Sequence, residues 1–275
     1  MPSHIVFLTL FAALLHASWN TLLRGATDRL WAMTIMCIAI AVTSAVIALF
    51  APLPSSASWK YMFVSALLHV GYNLCLIRSY QSGDLGQSYP IARGCSPLLV
   101  ACAAALFAGE KIQLNTLGGI TMVSCGILML AMKGYRLAMP DLKYALATGV
   151  FIAAYSVVDG IGVRLSGNAL SYTVWMSTLW GGLMPALYIA LRDRRSLLRW
   201  RPGLPRAAIG GLVSLLAYGI IIYAMVRAPM GTVSALRETS VLFAAVLGYL
   251  FLGESLTLRK TLACIVIATG TLIIG

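Results

Sequence analysis

The chain has 275 residues, 60% of them hydrophobic and only 10% charged, with a mean hydropathy of +0.89. Soluble domains carry about a quarter charged residues, so a water-soluble fold is excluded and a polytopic membrane protein remains. A net charge of +12 is of the sign that nucleic acid attracts, but the basic residues lie mainly in short connections between apolar stretches, so no nucleic-acid partner is expected and the lipid bilayer is the expected partner.

Ten apolar segments follow one another, most close to the ~20 residues that cross a ~30 Å hydrocarbon core, and no alternation of barrel-strand type interrupts them. The first, residues 5–23, is read as a retained helix and carries His16, Trp19 and Asn20 at spacings of three and four, which put them on one helix face. The second, 30–50, is apolar throughout. The third, 59–77, repeats the pattern His-x-x-aromatic-Asn as His69, Tyr72 and Asn73. A polar stripe of this kind avoids lipid. It lines a cavity, or it bonds helix to helix at about 0.6 kcal/mol per contact.

The fourth segment, 87–108, holds Tyr89 and Arg93 four residues apart, with Pro90 and Pro97 predicting a kink. The fifth is 114–132. The sixth, 142–162, places Tyr155 and Asp159 on one face. The seventh and eighth, 169–191 and 204–226, add aromatics including Tyr172, Trp175, Trp180, Tyr218 and Tyr223, read mainly as packing or interfacial anchors. The ninth, 232–252, contains Arg237 beside Glu238; neighbours differ by about 100° around a helix, so the two are not expected to point at one site. The tenth is 258–274. The link 192–203 is basic and is expected to be a loop. Six cysteines lie within or at the ends of apolar segments with no C-x-x-C pair, which reads as packing, with no metal or cofactor expected.

A repeat joins the segments. Arg93 and Arg237 are 144 residues apart, as are Glu110 and Glu254, and Leu106-Phe-Ala-Gly-Glu110 answers Leu250-Phe-Leu-Gly-Glu254. The chain therefore divides into two five-helix units, 1–135 and 140–275. An odd number of crossings makes them an inverted repeat, with binding expected at the midplane between them. The fold class is all-α, with ten transmembrane helices. Of the twenty Lys and Arg, fourteen fall in one alternating set of connections, including all of 192–206, and four in the other. The positive-inside rule then puts the basic face in the cytoplasm and both termini outside.

These residues resemble the drug/metabolite transporter superfamily and, within it, the ten-helix EamA-like transporters. The resemblance rests on the two units closing in L-F-x-G-E and covers essentially the whole chain. The stretch from Gly83 to Gly94, with His16 to Asn20 and Arg237 to Ser240, is similar to a bacterial subgroup associated with phosphonate-utilisation genes. The resemblance implies a secondary transporter of the inner membrane with a central cavity between the halves. The smallest relatives carry a first-helix glutamate for cation exchange; no acid occupies the first segment here, so that mechanism does not transfer.

Charges near a bilayer centre cost about 2.5–3.5 kcal/mol on insertion scales and usually face a cavity or partner. Arg93 and Arg237 balance Asp159 and Glu238, with Asp159 the expected partner of one arginine. Two readings stand: structural ion pairs between the halves, or an arginine fork open to an oxyanion. The functional reading makes Arg93, with Tyr89, the first choice for a substrate's acid group and Arg237 the second. His16, Trp19, Asn20, His69, Tyr72 and Asn73 form the wall, with Tyr155 and Asp159 opposite. The expected cargo is a small anionic or zwitterionic metabolite, such as an amino acid or aminophosphonate, moved by alternating access. A coupling proton could be carried by a histidine, and the protein could act as monomer or homodimer. Another polar or amine cargo, or a non-transporting structural subunit, are the alternatives. No G-x-S-x-G or H-E-x-x-H motif supports an enzyme.

Overall fold

A computed structural model describes residues 1–82, 85–131, 139–198, 201–252 and 257–275. Twelve α-helices make up the described chain: α1 Ser3–Arg24, α2 Arg29–Ala48, α3 Trp59–Ser82, α4 Leu85–Ala108, α5 Leu114–Ala131, α6 Met139–Ser166, α7 Ala169–Leu191, α8 Arg194–Leu198, α9 Leu204–Met225, α10 Met230–Glu238, α11 Ser240–Leu252 and α12 Leu258–Ile274. The protein is an all-α membrane protein. Seven of these helices are long and apolar enough to cross a membrane, and α5 is a shorter apolar one. Large side chains such as Val46, Phe63, Leu67, Val150, Leu216 and Leu272 point outward and exposed. Contiguous apolar surface of that extent suits acyl chains rather than water. Buried and lipid-side hydroxyls turn back on their own helix: Thr9, Thr34, Thr148 and Thr173 each donate to the carbonyl four residues earlier, which satisfies them without water.

Helix boundaries follow local chemistry. Asp28 caps α2 by accepting from the Trp31 amide at 3.1 Å, Asn168 caps α7 through Ser171 at 3.0 Å, and Thr257 caps α12 through Lys260 at 3.3 Å. Helix α4 runs through both Pro90 and Pro97.

Two expectations about elements need correction. The ninth segment is broken: α10 ends at Glu238, Thr239 turns the chain by bonding its amide and hydroxyl to the Leu236 carbonyl, and α11 starts at Ser240. The basic link also folds one short helix, α8, between Asp193 and Leu198.

Contacts between the two halves obey a two-fold exchange. Helix α1 packs on α9 as α6 packs on α3, and α2 on α9 as α7 on α3. Helix α1 meets α10 and α11 as α6 meets α4. The pairs α2 with α7, α4 with α10, and α5 with α12 are their own images. Close approach needs missing Cβ atoms at two of these contacts. A Cβ on Gly119 would stand 2.9 Å from the Gly270 carbonyl, and one on Gly149 would stand 2.9 Å from the Ala92 carbonyl. The second contact presses α6 onto α4 immediately beside Arg93.

Candidate functional site

The break in α10–α11 lies where that chain crosses α4, and three long charged side chains meet there. Arg93 Nη1 donates to both oxygens of Glu238, at 2.9 and 3.2 Å. Arg237 Nε donates to Glu238 Oε1 at 3.2 Å. Arg93 Nη2 meets Nε2 of His16 on α1, whose Nδ1 accepts from Trp19 at 3.2 Å. All three charged residues are at most 1% exposed. Neighbours Arg237 and Glu238 therefore do address one site, against expectation. Their long side chains fold toward each other at the last turn of α10, and the two halves are joined through Arg93 on α4.

One carboxylate serves two guanidinium groups, so the cluster carries one positive charge in excess. The excess shows in the hydrogen bonds. Among the described residues Arg237 Nη1 has no hydrogen-bond acceptor and the hydroxyls of Ser234 and Ser240 have no partner, while Arg237 Nη2 lies 3.1 Å from Glu238 Oε1 in the ion pair. Ser234 and Arg237 are three apart on α10 and share a face. Buried polar groups are nearly always bonded, so Arg237 Nη1 and these hydroxyls are exceptions at the charged cluster.

Asp159 takes different partners from those expected. Among the described residues it pairs with no arginine. Tyr172 on α7 donates to its Oδ1 at 2.8 Å and Tyr218 on α9 to its Oδ2 at 2.5 Å. Both phenols reach it because α6, α7 and α9 all touch one another.

Between the cluster and Asp159 is a cavity of about 40 Å³, lined by His16, Trp19, Met33, Met36, Ile40, His69, Tyr72, Asn73, Tyr155, Trp180, Ser214 and Tyr218. His69 is its centrepiece. Its ring stacks on Tyr155 at 4.2 Å and on Trp180 at 5.3 Å, with Tyr218 edge-on at 5.3 Å, while Nδ1 contacts the Ser65 carbonyl and hydroxyl. The Arg237 guanidinium lies 5.9 Å from the centre of the Tyr155 ring. The cavity has room for no more than a few waters.

The wall expected from the sequence is largely assembled: His16, Trp19, His69, Tyr72, Asn73 and Tyr155 face the cavity. Asn20 does not line it; it donates to the His16 carbonyl at 2.9 Å. Arg93, Arg237 and Asp159 stand behind the wall, at His16, Tyr155 and Tyr218. The Tyr89 side chain lies outside the described residues. Trp180 and Tyr218, aromatics that the sequence offers as path-lining or packing residues, also line the cavity, whereas the sequence reading does not single out Ser214, Ser234 or the role of Glu238. The signal for the first two is the aromatic content of the seventh and eighth segments.

Each end of the molecule has its own tie between the halves. At one end Asp28 pairs with Arg192 at 2.6 Å and Arg201 at 3.0 Å, and Arg201 lies over the Trp31 ring. A vestibule of about 590 Å³ opens here and shares Met36 with the central cavity. Partial burial works against the ionised form of Asp28. The Trp31 amide, Arg201 and Arg192 outweigh it and hold its carboxyl below the ordinary value. At the other end Glu110 pairs with Arg164 at 2.6 Å and caps α10 by accepting from the Met230 amide at 2.9 Å. Arg164 also donates to the Met225 and Ala228 carbonyls. The recurrent L-F-x-G-E thus has a structural meaning in its first copy; Glu254 lies outside the described residues.

The helices thus form two halves in a two-fold exchange, with an aromatic-walled cavity and a buried charged cluster behind it. The EamA-like transporter family model matches residues 4–132 and 141–275, so the chain belongs to the EamA-like transporter family and carries two copies of its unit. A crystal structure titled "Crystal structure of protein" is similar, with a TM-score of 0.78 at 15% identity, covering 99% of this chain and 96% of that chain; it supports the fold alone. Comparison with curated proteins returns no match.

Proposed function

We propose that the protein is a secondary transporter of a small zwitterionic or anionic metabolite, of the size of an amino acid or aminophosphonate, working by alternating access. The observation that carries this reading is the buried excess of positive charge, two guanidinium groups on the one Glu238 carboxylate, with Arg237 Nη1 and the Ser234 hydroxyl without partners among the described residues. A guanidinium keeps its charge when buried, and its fork suits carboxylate or phosphonate. The acid end of the cargo sits at Arg237 once the Tyr155 ring moves aside. Arg93 becomes the second choice, because Glu238 and His16 already hold it. The amine end, where there is one, faces the rings of Trp180, Tyr155 and Tyr218, with the Asp159 carboxylate behind them; aromatic faces attract ammonium groups. The basic end with residues 192–206 is cytoplasmic in this reading, in an inner membrane, with both termini outside. The unit boundaries fall near 135 and 140.

Thermal unfolding of the purified protein against glycine, aminomethylphosphonate, acetate and tetramethylammonium tests the reading, since a ligand of the folded state stabilises it by mass action. A zwitterion should raise the unfolding temperature of wild type, and Arg237→Lys, which keeps the charge but loses the fork, should lose most of that shift. Stabilisation by tetramethylammonium alone would sink the acid-binding reading and favour an amine transporter.

A further inference from the structure

Glu238 is the feature the proposed function leaves unexplained. A site built to receive an acid already contains one, and that acid touches both arginines. Its position makes sense for the empty carrier. Two buried guanidinium groups side by side repel each other strongly in a medium of low dielectric. An uncompensated buried charge destabilises the fold. Sharing one carboxylate leaves a single excess charge, and a bound anion removes it.

We infer that Glu238 is an internal stand-in for the cargo's acid group, occupying part of the anion seat in the unloaded protein and so setting how tightly an external anion binds. This rests on the anion-binding reading of the arginine cluster but not on the identity of the cargo. The charged and titratable groups facing Glu238 are consistent with it: Arg93 from α4, Arg237 from its own helix, His16 from α1 through Arg93, and Tyr155 from α6 through Arg237. None of them is a competing acid. Asp159, the other buried acid, is held by Tyr172 and Tyr218. Glu238 is thus the one described carboxylate in contact with the arginines.

The inference has an unusual consequence. Taking an acid away should strengthen anion binding, because the cluster then lacks two negative charges instead of one. Ordinary structural ion pairing predicts only a weaker fold. The test is a titration of purified protein with sodium acetate, at ionic strength held constant with sodium chloride, followed by thermal unfolding. Acetate is chosen because its carboxylate replaces the one removed, whatever the natural cargo is. Glu238→Gln should begin less stable than wild type and gain a saturable upward shift, with an apparent affinity for acetate at least about tenfold tighter than wild type. Glu238→Asp keeps the charge and withdraws it by one methylene; it guards against a Gln variant that fails to fold, and it should show a smaller shift of the same kind. Acetate that moves wild type and every folded variant equally would overturn the inference. Failure of the zwitterion panel with success of the acetate titration would reject the cargo proposed above and leave the role of Glu238 standing.

Discussion

At the scale of single residues, the site is a matter of which charges are fully answered. Arg93 and Glu238 form a close pair, while Arg237 shares the same carboxylate through Nε and Nη2 and has Nη1 without an acceptor among the described residues. Asp159 has donors on both oxygens, but they are neutral phenols. Replacing it with Asn keeps the shape and puts an amide nitrogen where one phenol donates. The cost should be about 1–3 kcal/mol of stability, the usual penalty for a disturbed buried hydrogen bond. If Asp159 also supports an amine, Asp159→Asn should reduce the thermal shift with glycine more than that with acetate. Equal losses for the two would confine Asp159 to a structural role.

Residue chemistry was legible in the sequence where it depended on local spacing. The His16–Trp19 contact and the shared face of His69, Tyr72 and Asn73 follow from spacings of three and four. The partner of Arg93 was not legible, because Glu238 is 145 residues away and only the crossing of α4 with α10 brings them together. Asp159 looked like an arginine's partner because charge counting sees signs and not depth or direction. The two tyrosines that hold it come from helices whose packing against α6 no periodicity announces.

At the scale of elements, the sequence placed nearly every helix, since long apolar runs bounded by caps and basic turns leave little choice. It missed the break at Thr239, where no proline or glycine interrupts the run. The break comes from the Thr239 amide and hydroxyl both bonding back to Leu236, which tightens the last turn and leaves α10 as a nine-residue helix. Glu110 then fixes its other end. The contact of α6 with α4 tests how far the site depends on helix approach. In Gly149→Ala the new methyl meets the Ala92 carbonyl at 2.9 Å, where backbone cannot yield as a flexible side chain would. It should destabilise the protein by about 1–3 kcal/mol, as overpacking does, and reduce ligand-induced stabilisation by tilting Arg93 away from Glu238. Gly182→Ala, whose added methyl has open space, is the control and should be silent in both measurements. Loss of ligand response in both variants would detach the effect from α4.

At the scale of the whole molecule, the two ties sit at opposite ends of α9, a helix of 22 residues and so about 33 Å long, with the cavity between them. Each joins one half to the other. In the alternating-access mechanism proposed above, one end parts while the other holds, and that proposal makes these ties the polar contacts that break. Ser214 lines the cavity and can report access from either side as Ser214→Cys in a background without the native cysteines. Adding Asp28→Asn should speed its modification by an impermeant thiol reagent applied to the basic face. Adding Arg164→Gln should speed modification from the opposite face. The pH dependence has a defined sign. The Asp28 carboxyl is held below its ordinary value of 3.8, so its tie is fully present at and above that value and is lost only as pH falls through the lowered one. Labelling from the basic face, taken at each pH relative to a fully exposed reference thiol because the thiolate is the reacting form, should therefore stay flat through neutral pH in the Ser214→Cys protein and rise only in strong acid, while the Asp28→Asn protein shows no such relative rise. If both tie variants open the same face, the ends are not alternative gates, and the two-fold packing of the halves serves stability rather than exchange of access.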